Sequence, residues 1–320
     1  MNRSLRFVRE PAAVRNSLVY LSTVRRGRMI LFRSYSHATK EWQLGDRSLQ
    51  TGPAVSGPQR GCALTFNGLG CPAARPWSGT VSVRFLPSGD TALVIEFGNR
   101  VSRKLNASVL RLDAALREHN LPGVIETVPT FRSLCVHYDP LKTEASQLIR
   151  AIESLLGRDG GVRREATLWR VPVCYEGELA PDLTYVAERT GLDPPGVIAL
   201  HCARRYHVYM LGFLPGFPYM GDLPAKLRLA RRTDPRVKVP AGSVAIATSL
   251  TGIYPVESPG GWHLIGTTPI RLFDPTRPSP SLFEPGDQVI FQPVNRNDFE
   301  GLRSAVAGGN YQPPHEKLVL

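Results

Sequence analysis

Downstream of position 82, the pattern of hydrophobic and polar residues predicts alternating strands and helices. Ser102 can cap a helix whose apolar residues recur from Leu105 at spacings of four, three and four. A second helix is predicted from Thr143 to Gly157. Short apolar stretches predict strands at 83–85, 91–97, 124–128, 133–138 and 168–173. Strand, helix, two strands, helix, strand is the order of a split βαβ unit, so we predict a ferredoxin-like α+β domain at 81–175.

A different pattern follows this domain. Two short helices come first, one capped by Asp182 and the other by Asp193 with Pro194 at its first position. Short strands separated by Gly and Pro turns then continue almost to the end of the chain. Such a series is typical of a closed or nearly closed β-barrel, which we place at 176–300. A loose C-terminal tail is expected at 301–320.

The first eighty residues differ from the rest in charge. They hold eleven Arg and one Lys against three acidic residues, so they carry +9 of the formal net charge of +12. We predict a disordered basic leader at 1–80, either a targeting segment or sequence translated from a start codon set too far upstream. Because the remaining residues carry only +3, a nucleic-acid partner is not expected.

Composition bears on membrane association, on metal binding and on the state of the cysteines. No run of eighteen apolar residues occurs, so no membrane association is expected. The five cysteines lie at scattered spacings without a Cys-x-x-Cys pair, which predicts no metal site and free thiols in a reducing cytoplasm.

Three Gly–Pro elements, at 212–219, 239–244 and 251–262, are the most informative feature of the chain. Pro fixes φ and removes a backbone donor, whereas Gly permits positive φ. Loops built this way are rigid and can leave backbone N–H groups unpaired. The elements therefore predict a preformed site for an anion or a planar amide, although each of them alone would indicate only a turn.

These motifs resemble the carboxyltransferase/allophanate hydrolase subunit 1 family. The resemblance spans about 83–294 and includes the three Gly–Pro elements together with the motifs at 86–93, 129–134 and 137–140. The family contains the B-type component of ATP-dependent 5-oxoprolinase and a protein that inhibits a sporulation histidine kinase. The resemblance implies an N-terminal α+β domain and a C-terminal cyclophilin-like barrel.

The resemblance also implies a function, which is cleavage of 5-oxo-L-proline to L-glutamate with ATP hydrolysis in a complex. The implied partners are a sister cyclophilin-like subunit of the C type and a third 5-oxoprolinase subunit of the A type. The sequence lacks both Gly-x-x-x-x-Gly-Lys-[Ser/Thr] and Gly-x-Gly-x-x-Gly after a strand, so we expect ATP to be shared with these partners. Two alternatives stay open, a carboxyltransferase-type subunit of a biotin-dependent urea or allophanate system and a non-catalytic kinase inhibitor.

Candidate catalytic residues come from three places. Arg236 lies in the basic stretch at 231–238, directly before the second element, where it would stabilise transferring phosphoryl oxygens. Glu257 is the only carboxylate within the elements and is a candidate base. By position, His201 is a packed or capping residue at a helix end, whereas the resemblance implies acid–base chemistry or substrate contact.

The candidate binding residues surround these three. They are Arg231, Arg232, Lys238, Gly242, Ser243, Tyr254, Ser258, Gly260 and Gly261. The cations would hold a phosphate or a carboxylate, and the backbone amides of Gly242 and Ser243 would add donors. The alternative interpretation of the basic stretch is a solvated strand edge.

Overall fold

The computed structural model describes residues 83–156 and 165–319, together with the backbone of a hairpin formed by β1 (Leu18–Arg25) and β2 (Arg28–Tyr35). The rest of the leader predicted at 1–80 lies outside the described residues, as does the linker at 157–164.

An α+β unit comes first. Its elements are β3 (Arg84–Pro87), β4 (Ala92–Glu96), α1 (Arg103–His119), β5 (Val124–Pro129), β6 (Ser133–Tyr138) and α2 (Ala145–Leu156). The four strands form an antiparallel sheet in the order β3-β4-β6-β5. Ser102 caps α1 as predicted, because its hydroxyl accepts from the Leu105 N–H at 3.2 Å. Apolar residues of both helices pack on the sheet and form one core.

The strand expected to complete a ferredoxin-like sheet lies elsewhere. β7 (Glu165–Cys174) pairs in parallel with β15 (Gln288–Val294) along most of its length. The fourth strand of the α+β sheet is instead supplied by the N-terminal β3–β4 hairpin. The ferredoxin-like prediction is therefore not confirmed. Periodicity identified β7 as a strand, but its partner lies more than a hundred residues downstream, where local pattern carries no information.

The second unit is a mixed β-barrel. Its remaining elements are α3 (Leu183–Thr190), α4 (Pro194–Cys202), β8 (Tyr206–Leu211), β9 (Pro218–Gly221), β10 (Arg236–Val239), β11 (Ser243–Ala247), β12 (Leu250–Ile253), β13 (Ser258–Gly260) and β14 (His263–Thr267). Seven strands follow one another in the order β14-β11-β12-β9-β8-β15-β7, and the Thr267–Cys174 pairing closes the ring. This architecture agrees with the expected cyclophilin-like barrel. β10 and β13 form a separate two-stranded ribbon.

The C-terminal segment also differs from the prediction. The loose tail expected at 301–320 instead contributes to α5 (Arg296–Ala307) and β16 (His315–Val319). β16 pairs antiparallel with the first half of β7. Gly and Pro at 308–314 indicate a break in regular structure, but they join two ordered elements.

A buried amide joins the two units. Asn106 of α1 has no exposed surface, and its side-chain amide donates to the carbonyls of Thr130 and Tyr209 at 3.0 and 3.1 Å. Its Oδ1 lies 2.7 Å from His207 Nε2. Because Thr130 precedes β6 and the other two partners lie on β8, this buried side chain links α1 to the barrel.

Candidate functional site

The three Gly–Pro elements contact one another in the folded chain. Phe217 of the first element lies 5.2 Å from Tyr254 and 5.6 Å from Trp262, both in the third. Gly242 of the second element donates its N–H to the Tyr254 carbonyl at 2.7 Å. The contacts therefore bring together segments up to fifty residues apart in the sequence.

These elements are filled by their own side chains. Phe217, Tyr254 and Trp262 are at most 5% exposed, and their rings pack edge to face. Burial raises the pKa of Tyr254 to about 12. The Ser243 N–H, expected to be an unpaired donor, bonds the Pro240 carbonyl at 3.3 Å. Because the turns satisfy their own amides, the predicted role of the Gly242 and Ser243 backbone as ligand donors is not supported.

Two of the glycines assigned to binding have a packing role. Gly242 has φ +83°, and a Cβ there would lie 2.3 Å from the Thr268 carbonyl oxygen. A Cβ on Gly260 would lie 2.3 Å from the Tyr254 hydroxyl. Gly261 is less constrained, since its nearest neighbours are 3.6 Å away on Pro235.

Replacing Gly242 with alanine is expected to lower the free energy of unfolding by about 2 kcal/mol, since strain and a backbone clash add. Gly191→Ala is the matched control. Gly191 also has positive φ, +63°, but nothing lies within 4 Å of a Cβ built there, so it should lose only about 1 kcal/mol. Chemical denaturation measures both, and equal losses would show that the clash at Thr268 relaxes without cost.

A buried carboxylate binds two of the candidate binding-site arginines. Asp182 is 4% exposed, and Arg236 binds it with two nitrogens at 2.9 and 2.7 Å. Arg232 adds a longer contact at 3.4 Å. The Leu264 N–H also donates to Asp182 at 2.7 Å. We call Asp182, Arg232 and Arg236 the carboxylate–arginine cluster.

The sequence predicted Asp182 as the cap of a short helix. It does stand at the N-cap position of α3, but its side chain makes no capping bond. Its carboxylate instead links the start of α3 to β10 and β14. Arg236 lies 54 residues downstream, so no local signal in the sequence indicated this pairing.

The other two cations lie nearer to solvent. The Arg231 guanidinium carbon lies 6.0 Å from the centre of the Trp262 ring, at the outer limit of a cation–π contact. Lys238 and Glu257 form an ion pair at 3.1 Å, with 70% and 56% of their side chains exposed. Glu257 is accessible to a ligand, but Lys238 already occupies one of its oxygens.

His201 lies away from any accessible surface. Its side chain is fully buried, with Nδ1 2.9 Å from the Tyr175 hydroxyl and Nε2 3.0 Å from Thr251 Oγ1. Because the Thr251 hydroxyl donates to the Ala245 carbonyl, Nε2 must carry the ring proton. Burial lowers the pKa of His201 to about 3. This geometry favours the packed-residue interpretation over acid–base chemistry.

Two buried polar atoms among the described residues have no hydrogen-bond partner. They are Ser258 Oγ and His263 Nδ1, and both lie in the segment that packs against the basic stretch. Arg232 N–H donates to the Gly261 carbonyl at 2.8 Å, and Ser258 pairs with Val239. Unpaired buried atoms are rare and call for an explanation. Ser258 is a predicted binding residue, whereas sequence reasoning missed His263.

The described part of the chain contains no group of three His, Cys, Asp or Glu side chains able to hold a metal ion. Within the same ranges, no helix combines the length and the apolar character needed to cross a bilayer.

Comparison with known proteins identifies the family. Residues 83–283 match the sequence profile of the carboxyltransferase domain, subdomain C and D. The chain belongs to this carboxyltransferase domain family. The match begins at the first residue of the described α+β unit and ends between β14 and β15, so it includes all three Gly–Pro elements.

Relatives in this family carry two kinds of name. The chain is 38% identical over 237 residues to the B subunit of 5-oxoprolinase from Bacillus subtilis, covering 70% of this chain and 98% of the relative. It is 40% identical over 205 residues to the protein of the same name from Escherichia coli O157:H7, covering 64% and 93%. The crystal structure of the Kluyveromyces lactis urea amidolyase matches at a TM-score of 0.65 and 20% identity, over 78% of this chain but 17% of that one. This last match shows a shared fold.

Proposed function

We propose that the chain is one component of an ATP-dependent 5-oxoprolinase, which cleaves 5-oxo-L-proline to L-glutamate as ATP is hydrolysed. The observation that carries the proposal is the match to the B subunits of 5-oxoprolinase from two bacteria, at 38% and 40% identity over nearly the whole of each relative. A shared name alone would be weak support, but this alignment leaves little of either relative unmatched.

The chemistry explains why ATP is required. A lactam is a poor electrophile, and transfer of the γ-phosphoryl group to its carbonyl oxygen activates the ring carbon. Water then adds to that carbon, the ring nitrogen leaves with a proton, and the resulting acyl phosphate is hydrolysed by a second water. The sum consumes ATP and two waters and yields glutamate, ADP and phosphate.

The carboxylate–arginine cluster and Arg231, which we together call the cationic face, suit the anions in this sequence of steps. Substrate carboxylate, phosphoryl group and acyl phosphate all need positive charge nearby. In the carboxylate–arginine cluster, two guanidinium groups share one carboxylate, which leaves a net positive charge. Arg231 adds another cation without a carboxylate partner among the described residues.

The proposed site requires partner subunits. The aromatic rings fill the space between the Gly–Pro elements, so the cationic face is a surface that another protein would cover. The bacterial relatives are named as the B subunits of their enzyme, which supports an assembly of several chains. We propose two partners, a sister cyclophilin-like subunit of the C type plus a third of the A type, with ATP bound by the assembled complex.

Reconstitution tests the proposal. The purified chain, mixed with its two partner subunits, should release equal amounts of glutamate and phosphate from 5-oxoproline and ATP, and omission of any one of the three chains should abolish both. Phosphate release that does not depend on 5-oxoproline would count against the proposal. So would release of neither product by a verified ternary complex.

A second candidate is carboxyl transfer to urea or a related amide. It is favoured by 24% identity to the urea amidolyase of Saccharomyces cerevisiae over 74% of this chain. Biotin would have to be supplied by another protein, since the sequence has no Met-Lys-Met attachment motif. Activity that requires a biotinylated partner and bicarbonate would replace the first proposal. Inhibition of a histidine kinase without turnover of 5-oxoproline would indicate the regulatory alternative.

Arg231→Ala should reduce kcat/KM of the reconstituted complex by about tenfold, because one surface cation is lost from the anion site. The melting temperature should not change, since Arg231 makes no ion pair with a described residue. Lys226→Ala is the control: this cation is also exposed and without an ion pair among the described residues, but it lies on the 225–227 turn outside the Gly–Pro elements. Equal activities of wild type and Arg231→Ala would exclude Arg231 from the site.

A further inference from the structure

The ribbon of β10 and β13 is a separate sheet that is attached firmly to the barrel. At one end of β10, Arg236 binds Asp182 with two nitrogens. At the other end, Val239 is fully buried. On β13, Gly260 packs so closely that a Cβ there would lie 2.3 Å from the Tyr254 hydroxyl. Contacts at both ends of β10 and on β13 therefore fix the position of the β10–β13 ribbon.

The pairing of the two strands changes register in the middle of the ribbon. Arg236 pairs with Gly260 and Val239 pairs with Ser258, so two residues of β10 lie opposite Pro259 alone. Proline has no N–H to donate, and prolines within sheets are therefore confined largely to edges and bulges. The sequence thus accounts for a β-bulge of one extra residue at this point of β10.

This bulge breaks the alternation of inward and outward side chains. Arg236 and Val239 both contact the barrel, whereas the two residues between them face solvent. Val237 is 88% exposed, and the Lys238 side chain is 70% exposed. Because Lys238 pairs with Glu257, the outer side of the ribbon presents an apolar side chain next to a neutralised ion pair. β-bulges commonly redirect side chains in this way beside functional sites.

Other exposed apolar side chains lie near the cationic face. Only seven large apolar side chains are exposed in the part of the chain that the structure describes. Besides Val237, they include Val256, which is 37% exposed and directly precedes Glu257. They also include Tyr185, which is 46% exposed and stacks on His263 at the start of β14. Since β14 also donates an N–H to the carboxylate–arginine cluster, these side chains place apolar surface around a charged centre, as protein interfaces do.

The charge of this surface decides what kind of protein can cover it. Residues 226–238 contain six cations and one carboxylate. Asp182 and Glu257 add two carboxylates through ion pairs, which leaves three positive charges without compensation. A two-fold dimer formed through the ribbon would place this stretch against its own copy, so like charges would meet. A second copy of the chain is therefore a poor partner, and a different protein suits the surface better.

The family assignment indicates which protein this is. The matched profile comprises subdomains C and D of the carboxyltransferase domain, and this lettering implies that further subdomains complete the domain. Under the proposed function, on which the identity of the partner rests, the sister cyclophilin-like subunit of the C type would supply them.

We propose that the β10–β13 ribbon is the docking element for this sister subunit. Val237 would enter an apolar recess of the partner, and the ribbon, already fixed in position, would lose little conformational freedom on binding. Arg236 points from the same strand towards Asp182. Docking on the outer side of the ribbon would therefore bring the partner over the cationic face and close the proposed site.

Titration calorimetry of the full chain with the purified C-type subunit tests this inference, first with the two proteins alone and then with the A-type subunit present. Neither 5-oxoproline nor ATP is added. Val237→Asp should weaken binding about a hundredfold, because it places a charge in an apolar recess. Leu141→Asp is the matched control: Leu141 is 95% exposed in the α+β unit, so the same change should alter the affinity by less than about twofold. Melting temperatures establish that both variants are folded.

Three results would overturn the inference. They are wild-type affinity in folded Val237→Asp, no binding of the C-type subunit in either titration, or a wild-type chain that sediments as a dimer and becomes monomeric in Val237→Asp. In the last case the ribbon would join two copies of this chain. Binding that depends on Val237 without cleavage of 5-oxoproline would leave the inference standing and reject the proposed function. Cleavage by a complex whose assembly is insensitive to Val237→Asp would do the reverse.

Discussion

Replacing Arg236 with alanine should lower the free energy of unfolding by about 3 kcal/mol, because it leaves a buried carboxylate without its main partner. The Asp182 side chain is 6% exposed and that of Arg236 is 24% exposed, so solvent screens this ion pair only in part. Arg236 supplies two of the four donors to Asp182, and the Leu264 N–H and the longer Arg232 contact remain. Chemical denaturation measures the loss.

Two control variants test whether the loss comes from the Asp182–Arg236 ion pair. Lys238→Ala removes a neighbouring cation from an ion pair that is 70% and 56% exposed, so its effect should stay within about 0.5 kcal/mol. The double variant Asp182→Ala/Arg236→Ala should be more stable than the sum of the single changes predicts, by at least about 1 kcal/mol. Additive losses would show that the two side chains do not stabilise each other.

The same residue also bears on the proposed activity. If Arg236 contacts a transferring phosphoryl group, Arg236→Lys should retain the charge yet reduce kcat of the complex by about a hundredfold, because lysine cannot replace the two-nitrogen contact that fixes the guanidinium on Asp182. A purely structural Arg236 predicts unchanged kcat wherever the variant is folded. Stability and kcat therefore separate the two roles.

Local sequence signals predicted those features of the fold that depend on nearby residues. Ser102 and Asp193 cap their helices because capping involves a donor three residues away. Short apolar stretches were likewise predicted as strands, because this prediction depends only on the residues within each stretch. β7 and β16 show the limit, since both assemble with strands far away in the sequence and pairing partners cannot be read from periodicity.

The candidate site shows the same limit in chemical terms. The sequence predicted a site at the three Gly–Pro elements, and these elements do contact one another through the buried rings of Phe217, Tyr254 and Trp262. It did not show that those rings would fill the expected cavity, since the same Phe, Tyr and Trp side chains could equally line one. The pairing of Asp182 and the burial of His263 were missed because both depend on contacts between distant segments.

His201→Ala should cost about 4 kcal/mol of unfolding free energy, a large share of the total for a typical domain. The change removes a fully buried ring that stacks on Phe291 at 4.5 Å and leaves the hydroxyls of Tyr175 and Thr251 without their partner. The catalytic hypothesis instead predicts a folded variant of near-normal stability that has lost its rate. Thermal and chemical denaturation of the isolated chain distinguish these outcomes.

The pH dependence of stability provides an independent test of the same residue. Burial lowers the pKa of His201 from 6.5 to about 3, so between these values the unfolded chain binds a proton that the folded chain does not. The contribution of His201 to the free energy of unfolding is therefore fully present above about pH 6.5. It falls as the pH decreases, by about 1 kcal/mol between pH 6 and pH 5. His201→Gln, which cannot titrate, should lack this part of the slope, and the difference between the two proteins cancels the other titrating groups. Parallel slopes would mean that His201 is accessible to protons in the folded protein. A hundredfold loss of complex activity in a His201→Gln variant of unchanged stability would instead support a catalytic role for His201.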